Sequence, residues 1–140
     1  MTLFIDALDK NAFSKVDIVL FALPGVGDVG KNAIELLNEA NKAVTVARYI
    51  HPGLTPLARL DGDGLLAPPH LAVNRIETEQ GKTILTITGR GQPSESYLQH
   101  YFSTELLKHV ADNNIGEIIV LAGLMSAPEV KEAFAVATSS

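Results

Sequence analysis

Val16-Asp17-Ile18-Val19-Leu20-Phe21-Ala22-Leu23 runs directly into Pro24-Gly25-Val26-Gly27-Asp28-Val29-Gly30-Lys31, and the reading of these residues decides the fold. The first half is almost continuously apolar and rich in β-branched residues. A strand buried on both faces, as in a parallel sheet, has this pattern. Pro24 and Gly25 end it. From Lys31 to Lys42, Ala33, Ile34, Leu36, Leu37 and Ala40 fall at helical spacing. Ala43 to Ile50 then returns to a β-rich run. Such a strand–helix–strand unit is expected to cross over right-handed and to pair its two strands in parallel.

Downstream, His51 to Pro69 contains seven prolines and glycines in nineteen residues. A connection of that length is usually functional or part of an interface. His70–Thr78 and Thr83–Thr88 read as strands joined by Glu79-Gln80-Gly81-Lys82, a hairpin signal. Ser94, after Pro93, is the expected N-cap of a helix reaching Asn113, with Leu98, Phe102, Leu106 and Val110 as its i+4 stripe. Asn113, Asn114 and Gly116 are expected to close it. Glu117 to Gly123 reads as a further strand and Ala133 to Thr138 as a last one. The expected fold class is α/β, a mixed and mostly parallel sheet with flanking helices in three layers.

The chain has 140 residues, and one domain over residues 1–140 is expected. A 46% hydrophobic composition with 19% charged residues supports a packed core. The net charge of −5 lacks the footprint of a nucleic-acid binder and disfavours anionic membrane surfaces. With no cysteine, disulfide scaffolds, zinc ribbons, iron–sulfur clusters and thiol nucleophiles fall away, which fits a reducing cytoplasm. The longest apolar run, Ile18 to Pro24, is far below the ~20 residues that span a bilayer. The opening Met1-Thr2-Leu3-Phe4-Ile5-Asp6 has no basic region, so no signal peptide is expected.

The glycine turn admits three readings. Between a strand and a helix, backbone N–H groups and the helix dipole can hold an anion. The spacing fits the dinucleotide fingerprint GxGxxG and most of the phosphate loop GxxxxGK. Each nucleotide reading fails a chemical requirement. The second strand ends Arg48-Tyr49-Ile50-His51, without the acid that holds a ribose, and Asn32 stands where a Mg²⁺-binding Ser or Thr is needed. Asp28 would repel a phosphate. The plain alternative is a tight turn whose glycines permit close packing.

Other chemistry is sparse. His51, His70, His100 and His109 have no metal-ligand spacing and read as surface or satisfied histidines. Asp61-Gly62-Asp63-Gly64 opens like a calcium loop, but Leu66 and Ala72 stand where that loop needs Gly and Glu, leaving a polar double turn. No serine has a GxSxG context. Gly89-Arg90-Gly91-Gln92-Pro93 follows a strand and leads into a helix, so Arg90 is expected at the same carboxyl edge as the first glycine turn. No catalytic residue, cofactor or metal site is expected.

In series, these segments resemble the proteasome assembly chaperone 2 family. Leu23-Pro24-Gly25-Val26-Gly27-Asp28-Val29-Gly30-Lys31 is similar to its "PGxGxVG" turn, and Asp61-Gly62-Asp63-Gly64-Leu65-Leu66-Ala67-Pro68-Pro69 to its "DGLL-x-x-P" segment. Thr88-Gly89-Arg90-Gly91-Gln92-Pro93-Ser94 looks like its "TG-x-x-QP" turn. Gly116 to Gly123 resembles its "GV-x-x-IYTLGG" strand, and Ala135-Val136-Ala137-Thr138 the "V-x-A-x-A-T" strand after it.

The resemblance implies a nucleoside-phosphorylase-like three-layer domain without an established catalytic site. It also implies a chaperone that forms homo-oligomers and binds proteasome α-subunits. Family members are usually longer, so the chain corresponds to an N-terminal portion. It ends Thr138-Ser139-Ser140, without the hydrophobic–Tyr–any-residue tail that some members dock with.

The expectation is therefore a cytoplasmic, non-enzymatic protein-interaction module. It would self-associate and take proteasome α-subunits as partners, with no role for nucleic acid or membrane. The alternative is a small-molecule binder or enzyme acting on a nucleoside or phosphate-bearing ligand, with Gly25, Gly27, Gly30, Lys31 and Arg90 as anion contacts. A third reading is a fragment whose function lay in a missing half.

Overall fold

The computed structural model describes residues 2–139. Its elements follow the order β1 (Phe4–Ala7), β2 (Ile18–Phe21), α1 (Val29–Ala40), β3 (Val44–Ile50), β4 (Arg59–Leu60), β5 (Leu66–Ala67), β6 (Leu71–Glu77), β7 (Thr83–Gly89), α2 (Ser96–Asp112) and β8 (Ile118–Val120). Six strands form one sheet in the order β1-β3-β6-β7-β2-β8, and β4 pairs with β5 in a separate small ribbon. The mixed α/β sheet with flanking helices is thus present.

Its pairing departs from expectation in two ways. β2 lies parallel to β7 and β8, whereas β1–β3, β3–β6 and β6–β7 are antiparallel, so parallel pairs are the minority. The strand–helix–strand unit does not pair its own strands: β6 and β7 separate β3 from β2. The physical reason is the β6–β7 hairpin, closed over Glu79 to Lys82 by Gly81 at φ +76° and by Thr78 N–H donating to the Lys82 carbonyl. β7 then occupies one edge of β2, and β8 takes the other.

Alternation along the strands gives the sheet two unlike faces. Val19, Tyr49, Leu71, Val73, Leu85 and Ile87 point to one side and form the main core with Phe102, Leu106 and Val110 of α2. The i+4 stripe expected for α2 holds, with Leu98 half-buried at its start. Thr86 faces the opposite side, where its hydroxyl donates to Asn38 of α1 at 2.6 Å. The layers are α2, sheet, α1; the α1 face mixes the polar Asn74, Thr86 and Thr88 with the buried Ala22, Ile34 and Ile76.

Helix α1 buries less than its sequence suggested. Gly30 and Ile34 are its buried residues. Leu37 is half-buried, while Ala33, Leu36 and Ala40 are exposed. The inward row is Gly30-Ile34-Asn38 at i, i+4, i+8, so a polar side chain occupies a place the apolar pattern did not predict.

Three further corrections concern boundaries and ends. Helix α2 starts at Ser96 with Glu95 as N-cap, not at Ser94. Its exit matches expectation, with Asn114 in the left-handed region at φ +58°. β1 was unforeseen; it pairs with β3 through Phe4↔Ile50 to Ala7↔Ala47. Ala133 to Thr138 forms no strand: no neighbour pairs with it among the described residues, and Val136 is 98% exposed.

Candidate functional site

The glycine turn is built by close packing. Val26–Asp28 forms a single 3-10 turn, with Gly27 at φ +61° and Asp28 at φ +50°. A side chain at Gly30 would strike the Leu121 carbonyl, and one at Gly123 would strike the Val26 carbonyl. Two glycines therefore bring the start of α1 and the chain after β8 into backbone contact. Within the turn, Gly25 N–H donates to the Asp28 carboxylate at 3.3 Å, and Lys31 Nζ pairs with Glu35 at 3.0 Å.

Arg90 follows β7, which lies parallel to β2, so it stands at the same carboxyl edge as the glycine turn, as expected, but in a different site. It lines a cavity of about 440 Å³ on the α1 face of the sheet, between α1, the adjoining ends of β6 and β7, and the segment from Leu54 to His70. None of Gly25, Gly27, Gly30 or Lys31 lines it, so the five expected anion contacts do not converge on one cavity. Asn74 and Thr88 belong to its sheet side, and Thr88 Oγ1 is buried without a hydrogen-bond partner. The Asp61 turn forms part of its wall. Asp61 Oδ1 accepts the N–H groups of Asp63 at 3.0 Å and Leu65 at 2.9 Å, which turns β4 into β5. The polar double turn expected there is what forms.

His51 anchors the long segment at its start. The ring is 3% exposed; Nδ1 accepts Gly53 N–H at 3.0 Å, so Nε2 carries the proton and donates to Glu105 of α2 at 2.9 Å. This is a satisfied histidine, as expected. His109 differs. It sits edge-on to Phe13 and Tyr49, with ring centroids at 4.6 and 5.5 Å, and its Nε2 is buried without a partner. Burial lowers its pKa below the usual 6.5, against the opposing pull of Asp112. Burial also pushes the Tyr49 phenol up.

A third feature is the sheet's edge. β8 has β2 on one side and no strand on the other among the described residues. Val120, Leu124, Met125 and Phe134, on β8 and the chain after it, are 62–80% exposed. Among the described residues, no helix is long and apolar enough to cross a membrane.

The model of the PAC2 family matches residues 19–140. The chain belongs to the PAC2 family. Solved structures carry the same fold. PbaB of Pyrococcus furiosus, described as an archaeal proteasome activator, superposes with a TM-score of 0.76 at 21% identity, covering 94% of this chain and 55% of that one. PbaA of the same organism, described as an archaeal homolog of proteasome-assembly chaperone, gives 0.66 at 18% identity, covering 91% and 50%. A PAC2 family protein from Streptomyces avermitilis gives 0.58 at 23%, covering 79% and 51%. This PAC2 chain spans about half the length of these structures. Among curated proteins, none matches it in sequence.

The family motifs take different places in this PAC2 chain. The "PGxGxVG" turn seats α1 against the end of β8, whereas the "DGLL-x-x-P" and "TG-x-x-QP" segments both border the cavity. Sequence reasoning named Arg90 as an anion contact beside the first glycine turn rather than in this cavity, and it missed Arg59, Asn74 and Thr88. The usable signal was period-two polarity, with Asn74 on β6 and Thr86 and Thr88 on β7 all set on the face away from α2.

Proposed function

We propose that the chain acts as a non-enzymatic protein-interaction module in the cytoplasm, self-associating and taking proteasome α-subunits as partners. The observation that carries this reading is the open β8 edge with its apolar surroundings. An unpaired strand edge offers a row of N–H and C=O groups to another chain, and exposed apolar side chains gain free energy when covered. Family membership supports the choice of partner, since solved relatives are described as a proteasome activator and a proteasome-assembly chaperone homolog.

Light scattering after size exclusion, on the chain alone and mixed with proteasome α-subunits, tests the proposal. A discrete homo-oligomer that also enters a mixed complex is the expected result. A 14.9 kDa monomer that ignores α-subunits would overturn it.

A further inference from the structure

The cavity on the α1 face has a charge balance that its composition hides. Besides His70, whose Nδ1 lies 2.8 Å from the Pro68 carbonyl, four charged side chains line it: Arg59, Arg90, Glu35 and Asp61. By count they cancel, but Glu35 is paired with Lys31 at 3.0 Å, which leaves one positive charge in excess; the Asp61 carboxylate keeps its charge, and its Oδ1 accepts two backbone N–H groups. Neither arginine has an ion pair or a side-chain hydrogen bond among the described residues. Two guanidiniums without partners therefore border one concave space in a chain whose net charge is −5.

Shape and polarity narrow the ligand. About 440 Å³ lies within the ~300–1,000 Å³ range of small-molecule sites. Leu54, Leu57 and Leu60 supply apolar wall from the long segment, while Asn74 and Thr88 supply polar groups from the sheet. The Thr88 hydroxyl leaves a hydrogen bond unmade in the protein itself. Guanidiniums present paired N–H groups that match the oxygens of carboxylates and phosphates.

We propose that this cavity binds a small organic anion, a carboxylate or phosphate monoester on an apolar body, with Arg59 and Arg90 holding the anionic group. The apolar body lies against the leucines of the long segment. Lys31 acts at one remove, by neutralising Glu35. The proposal goes beyond the interaction reading and does not depend on it.

Amide NMR titration of the whole chain with phenyl phosphate, benzoate, inorganic phosphate and benzyl alcohol tests the site. Phenyl phosphate or benzoate is expected to shift the amides of Leu57–Asp61 and Thr88–Gly91, and to bind more tightly than benzyl alcohol or inorganic phosphate. Whichever of the two binds better identifies the anionic group. Arg59→Gln with Arg90→Gln, both at exposed positions, is expected to weaken binding by about tenfold or more. Lys31→Ala weakens it by a few-fold, and adding Glu35→Gln restores it. Silence at those amides, equal binding of benzyl alcohol, or full affinity in the double arginine variant would each overturn the proposal. A Lys31→Ala/Glu35→Gln chain that stays weak would make Lys31 a direct contact and overturn the charge balance argued above.

Discussion

Replacing His51 with leucine removes two hydrogen bonds at one buried ring, and the groups left behind differ in cost. Buried Gly53 N–H loses its acceptor, at a cost of about 1–3 kcal/mol, whereas the Glu105 carboxylate is 24% exposed and can turn to water. His51→Leu is therefore expected to lower stability by about 2 kcal/mol in chemical denaturation. Glu105→Gln keeps an acceptor for Nε2–H and is expected to cost far less; equal losses would remove the hydrogen bonds from the account. His109 makes a prediction about pH. Its folded pKa lies below 6.5, so above that value neither state binds the proton and the residue contributes nothing. As pH falls below about 6.5, the unfolded chain takes up a proton the folded chain refuses, and stability declines until the folded pKa is reached. Thermal melts from pH 7.5 down to 5 should show this acid-side loss reduced in His109→Phe, which leaves an aromatic ring between Phe13 and Tyr49. An unchanged slope would assign the loss to other groups. At this scale much of the chemistry could be read in sequence: Arg90 was visible from its turn, and the Asp61 turn from its spacing. Arg59, Asn74 and Thr88 were not, because period-two polarity tells which face Asn74 and Thr88 take but not that distant segments close a cavity over that face.

Among the elements, α1 and the end of β8 are coupled through glycine. A Cβ at Gly30 meets the Leu121 backbone carbonyl far inside contact distance, and backbone cannot move aside as a flexible side chain can. Gly30→Ala is expected to cost about 1–3 kcal/mol, as overpacking does, and to raise hydrogen exchange at Ile118–Leu121 before other strands. Gly62→Ala is the matched control. Nothing lies within 4 Å of a Cβ there, so the expected change is near zero or mildly stabilising. If both variants behave alike, close packing is not what Gly30 provides. Strand and helix periodicity was legible for β2, β3, α2 and the β6–β7 hairpin, where the signal is local. Neighbour order was not, since nothing within β3 specifies β6 rather than β2 as its partner. Residues 133–138 carry strand-like composition yet pair with no strand among the described residues, and a strand exists only where another backbone meets its hydrogen bonds.

For the whole molecule, the α2 face of the sheet carries the main core, whereas the proposed contacts lie at the α1 face and the β8 edge. A charge at the edge should expose this division. Val120 is 62% exposed, so Val120→Lys is expected to leave the circular dichroism spectrum and melting temperature nearly unchanged while shifting the solution mass toward 14.9 kDa. An oligomer that survives the lysine would move the contact to another surface.

The position of β2 also bears on how the chain is made. Ile18 pairs with Ile84 and Val19 with Ile118, so β2 is synthesised long before either neighbour. At about 5–20 residues per second, a ribosome takes roughly 3–13 s to add the 66 residues between β2 and its match in β7. During that interval Ile18-Val19-Leu20-Phe21 has left the tunnel with no native strand to join, although β6 and β7 close their hairpin as soon as both emerge. Nascent chains are thus most in need of protection between the appearance of β2 and that of β7, and a general holding factor at the tunnel exit would act on this protein before any partner could.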